Sequence, residues 1–86
     1  MPATKFDVPS LNLKAHDLFE IGKSFFVRTH DQRKECEDKL KELSEAMSEA
    51  KKALASNELT VSEFKEVSRV VDKLGIAKNF LAKALG

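Results

Sequence analysis

The chain has 86 residues, 34% of them charged and 42% hydrophobic, and a net charge of +1. A chain this short forms one domain with a thin core, burying about 60% of its unfolded surface. The near-zero charge excludes strong whole-molecule attraction to nucleic acid or anionic lipid, and a lone Cys36 excludes an internal disulfide.

Charge is also mild by segment: +1 over 1–28, −2 over 29–59 and +2 over 60–86. Pro2 and Pro9 fall within the first nine residues, and beyond Ser10 only Gly22 and Gly75 interrupt a helical pattern before Gly86. That distribution predicts an all-α protein. No apolar run approaches the ~20 residues of a membrane-spanning helix. Residues 1–10 lack the apolar segment of a signal peptide, so the expected location is the cytoplasm, with no membrane partner.

Residues 1–10 are expected to form an extended arm, with a single helical domain over 11–86. Pro2 and Pro9 disfavour helix at the residues before them, and Phe6 and Val8 alternate with polar Lys5 and Asp7. Phe6 would then fray, pack on its own domain or reach a partner's groove.

A first helix over about 12–27 follows, capped by Ser10 or Asn12. Leu11, Ala15, Leu18, Phe19, Gly22, Phe25 and Phe26 recur at helical spacing along one face. Gly22 in its middle costs ~1 kcal/mol against Ala, a cost that close approach of another helix could offset. The sequence Thr29-x-x-Gln32 then matches a capping box, with Asp31 favourable at the positive end of a helix dipole. The chain is expected to break there, although no Pro or Gly forbids a continuous helix.

The second helix carries Cys36, Leu40, Leu43, Met47, Ala50 and Leu54 at steps of four and three, a heptad seam suited to a coiled coil. Glu35–Lys39 and Glu37–Lys41 are i,i+4 pairs on its outer face. Asn57 suits the left-handed end of a helix, and Thr60-Val61-Ser62-Glu63 forms a second capping box flanked by Leu59 and Phe64 at the staple positions. A tight turn near 56–60 follows. In the third helix Phe64, Val67, Val71 and Leu74 form the expected stripe, continued by Ala77, Leu81 and Ala84 or Leu85. Gly75 could end this helix or be tolerated within it. If it is tolerated, helices over about 29–56 and 60–85 match at ~40 Å each. The expected architecture is a long antiparallel hairpin with a shorter N-terminal helix, three helices in all.

Catalytic and metal motifs are absent from the pattern. The glycines are scattered at 22, 75 and 86, so there is no phosphate loop. His16, His30 and Cys36 are too few and too dispersed for a zinc site. Cys36 lies on the apolar seam between Glu35 and Glu37, a setting that disfavours a reactive thiolate. No enzyme activity and no cofactor are expected.

What remains is a binding or structural module. Phe25 and Phe26 together, Val70 beside Val71, and Phe80 widen the apolar stripes beyond a single line. With Phe6 they are the residues expected at an interface, with another protein or a second copy of the chain. The implied role is a protein–protein interaction factor: adaptor, assembly chaperone, inhibitor or regulator. A small dimeric DNA-associated protein is the alternative, using Lys65, Arg69 and Lys73, which step by four along the third helix. An architectural oligomer subunit is a third.

The capping assignment is directly testable. Thr60→Ala should lower stability by about 1 kcal/mol in a denaturant melt, and an unchanged midpoint would count against the turn.

Overall fold

The computed structural model describes residues 6–86, and Met1–Lys5 of the expected arm lie outside the described residues. Three helices follow in order: α1 (Val8–Ser24), α2 (His30–Ala55) and α3 (Val61–Leu85), with no strand among the described residues. The all-α three-helix arrangement is as expected, and two of its boundaries differ.

Residues 8–10, expected in the arm, are helical instead, because α1 begins at Val8. Asp7 is the N-cap: its Oδ1 accepts from the Ser10 N–H at 3.1 Å. Pro9 then stands in the first turn, where its missing N–H would have had no helical partner. The proline that seemed to end an arm therefore opens a helix. Val8 is buried and Phe6 is half-buried against the core, so both pack on their own domain.

Helix α1 also stops earlier than expected, at Ser24, where Phe25 turns extended (φ −80°, ψ 128°). The next cap explains the break. Gln32 Oε1 accepts from the backbone N–H groups of both Thr29 (3.1 Å) and Arg28 (2.7 Å), while Thr29 Oγ1 accepts from the Gln32 N–H at 3.1 Å. This box needs Thr29 extended (φ −123°, ψ 165°), which a continuous helix would forbid.

The turn between α2 and α3 is built as its sequence suggests. Ser56 Oγ donates to the Ala53 carbonyl at 2.7 Å and accepts from the Glu58 N–H at 3.2 Å. Asn57 takes φ +62°, the left-handed conformation, which asparagine adopts more readily than most residues. Thr60 and Glu63 then exchange reciprocal bonds of 3.0 and 3.1 Å. Phe64 stays 48% exposed, so the staple position shields it only in part. Helix α3 runs unbroken through Gly75, giving hairpin arms of 26 and 25 residues.

Helix α3 is the shared wall. Cys36 of α2 lies against Leu81, and Nη1 of Arg33 reaches the Leu85 carbonyl, so α2 and α3 are antiparallel. Gly22 of α1 lies against Ala77, Phe80 and Leu81, while Asn12 shares a groove with Glu66 and Arg69, so α1 runs parallel to α3. The rod measures 48 × 17 × 16 Å.

Burial corrects two stripes. On α2 the buried residues are Cys36, Leu43, Ala46, Ala50 and Ala53, whereas Leu40, Met47 and Leu54 of the expected heptad seam are only half-buried. Alanines along the line of contact let two backbones approach, and the longer side chains lap over the edge. On α3 the buried row is Val67, Val70, Leu74, Ala77 and Leu81. Val70, expected at an interface, is 1% exposed and belongs to the core, while Val71 is displaced to its margin.

The two internal glycines differ. A Cβ on Gly22 would lie 3.2 Å from Phe80 Cβ and 3.3 Å from the Ala77 carbonyl oxygen, whereas one on Gly75 would meet nothing within 4 Å. Gly75→Ala should therefore raise stability by up to about 1 kcal/mol through helix propensity. Gly22→Ala should lower it despite the same propensity gain, because backbone as well as side chain must move. Paired urea melts check both, and equal shifts of the same sign would show that the α1–α3 contact yields freely.

Candidate functional site

Three of the five residues expected at an interface meet at one end of the rod. Phe25 and Phe26, in the connection after α1, and Phe80, on α3, line one groove with Gly22, Val27 and Ala84. Phe26 is 69% exposed and Phe80 37%, while Phe25 is half-buried. The local cause is the early end of α1: once Phe25 turns extended, consecutive side chains no longer follow one helical stripe. Phe6 sits at the opposite end of α1, and Val70 lies inside. Neither belongs to this surface.

The groove continues into an aromatic pair. Phe19 and Phe80 have ring centroids 5.9 Å apart at 58°, an edge-inclined geometry favoured by the ring quadrupoles. Two ammonium groups from different helices attend the Phe19 ring: Nζ of Lys23 at 5.3 Å and Nζ of Lys73 at 5.7 Å from its centroid. Lys23 also pairs with Glu20 at 3.3 Å. The guanidinium of Arg28 stands 6.0 Å from the Phe26 ring centroid.

The basic ridge of α3 fares differently. Lys65 and Arg69 are exposed, but Lys73 is half-buried over Phe19. The α1–α3 groove that holds Arg69 and Lys73 also holds Glu66 and Asp72. A phosphate backbone following this ridge would meet carboxylates in alternation with cations.

Three exposed apolar regions were missed, one of them at Ile76, which is 47% exposed in the α1–α3 groove. Leu13, 67% exposed, and Ile21 line a groove between α1 and α2 with Lys39 and Glu42. Their signal was present, since positions 13, 17 and 21 form a second line outside the main stripe of α1. Val61 and Phe64 are exposed at the start of α3.

Among the described residues no cluster of three or more His, Cys, Asp or Glu side chains is placed to hold a metal, and no polar or charged side chain is buried. Cys36 is fully buried, and its thiol donates to the Leu81 carbonyl at 3.4 Å. Burial pushes its pKa above the ordinary thiol value, Glu37 adds to the rise, and Arg33 opposes it. No helix in the described residues is long and apolar enough to cross a membrane.

The thiol's chemistry follows. Cys36 should react with a water-soluble disulfide reagent only as fast as the domain opens, and promptly in denaturant. Rapid labelling of the folded protein at neutral pH would show that the α2–α3 contact does not shield it.

No protein-family model, curated protein or solved structure matches the chain.

Proposed function

We propose that the chain is a small, non-enzymatic protein–protein interaction factor of the cytoplasm, an adaptor, assembly chaperone, inhibitor or regulator, that binds through the end surface containing Phe25, Phe26 and Phe80. The observation that carries this reading is Phe26, 69% exposed and sharing a groove with a second partly exposed ring, Phe80. Aromatic side chains present large rigid area at low entropic cost and dominate binding when a partner covers them. The mixed charges of the α1–α3 groove weigh against the nucleic-acid alternative.

Affinity capture from host extract tests the proposal. Wild type should retain partners that Phe26→Glu and Phe80→Glu lose, with circular dichroism and melting used to confirm that both variants fold. Phe26 is exposed enough that its replacement should change stability by less than about 0.5 kcal/mol. If both folded variants keep every partner of the wild type, the proposal fails. Sedimentation equilibrium identifies the case in which the partner is a second copy of the chain.

A further inference from the structure

The end surface carries charge as well as rings, and the charged side chains that line the groove are cations. The residues lining the groove include Lys23 and Lys83 and no carboxylate. Arg28 adds a third cation beside Phe26. The whole chain has 14 acidic residues against 15 basic ones, so this bias is local. Only Lys23 has an acid within ion-pair distance, Glu20 at 3.3 Å; none of the described carboxylates pairs with Arg28 or Lys83.

Ordinary helix electrostatics explains part of this. Lys23 and Lys83 lie in the last turns of α1 and α3, where a cation offsets the negative end of the dipole. Arg28 has no such explanation. It directly precedes Thr29, the N-cap of α2, so no helix C-terminus accounts for it, and its guanidinium stands 6.0 Å from the Phe26 ring centroid. Its backbone N–H is held by Gln32, which fixes the residue at this place.

We infer that this surface receives an acidic protein segment bearing a bulky apolar side chain. The apolar residue would cover Phe26 and Phe80, and carboxylates on either side would meet Arg28 and Lys83. The inference rests on the reading of this surface as protein-binding and adds the chemistry of the partner. The groove is open, and a protein segment can set one side chain against both rings while its carboxylates reach the cations; the vesicle arm of the test covers an anionic membrane.

Selection of short random peptides displayed on phage, against immobilised full-length chain, tests the inference without choosing a ligand beforehand. Clones are then compared on wild type, Phe26→Glu and the double variant Arg28→Glu/Lys83→Glu, each verified as folded by melting. The expected result is enrichment of peptides with an excess of Asp and Glu around an aromatic residue or leucine. Their binding should be lost with Phe26→Glu and weaken about tenfold or more with the double charge reversal. It should also weaken when salt is raised from about 50 to about 500 mM, which shortens the range of charge attraction. Enriched peptides that depend on Phe26 but are neutral or basic overturn the acidic-partner inference and leave the protein-binding reading intact. Failure to enrich any Phe26-dependent peptide overturns both. Vesicles of phosphatidylcholine with and without phosphatidylserine form the remaining arm: Phe26-dependent binding to the anionic vesicles, with no such peptide enriched, assigns the surface to a membrane instead.

Discussion

Helix α3 is buried along one row, Val67, Val70, Leu74, Ala77 and Leu81, and both other helices lean on that row while touching each other little. A single helix serving two neighbours needs small side chains where they come closest. Ala77 supplies one against Gly22 of α1, and Ala46, Ala50 and Ala53 line the facing side of α2. Each large buried aliphatic side chain contributes about 1.5–3 kcal/mol, much of it cancelled by the entropy of ordering the chain. Small errors at this shared wall therefore weigh heavily on a domain this thin.

The end surface is a consequence of the same arrangement. Helix α1 is 17 residues long against 26 and 25 for the hairpin arms, so it cannot cover the whole of α3. Its C-terminus stops beside Phe80, and the connection must then cross toward the start of α2. The capping box at Thr29 dictates where that crossing ends. Between the last turn of α1 and that cap only Phe25, Phe26, Val27 and Arg28 remain, and they bring two rings and one cation to a surface that Phe80, Lys23 and Lys83 complete. Aromatic packing, helix termination and charge thus converge there for local reasons.

The turns and helix ends governed by capping were legible because a cap is specified by residues three positions apart. Thr29 with Gln32, and Thr60 with Glu63, needed no knowledge of the tertiary fold. The start of α1 was misplaced because Pro9 is equally compatible with an arm and with a first helical turn; Asp7, three residues before Ser10, was the signal that separates them. Stripe phase was harder. Val70 and Val71 are adjacent and equally apolar, and which one faces inward depends on where α1 and α2 sit. Reading backward from Leu81 through Ala77 and Leu74 leads to Val70 at steps of four and three, whereas reading forward from Phe64 leads to Val71. The candidate surface was legible in its aromatics and missed in its cations, since Lys83 stands 55 residues beyond Arg28 and joins Lys23 and Arg28 only in the folded rod.

The contact between Gly22 and Ala77 joins positions 55 apart, whereas α2 and α3 are joined by the five residues between Ala55 and Val61. Loop closure therefore favours formation of the hairpin before α1 arrives. Any segment that grips Phe26 and Phe80 together holds the connection after α1 to α3 and so fastens α1 in place. Its binding energy is added to the free energy that keeps α1 docked, by mass action. Occupancy of the surface and retention of the third helix are thus linked quantities: a partner present in excess would slow the release of α1 as well as occupy the groove.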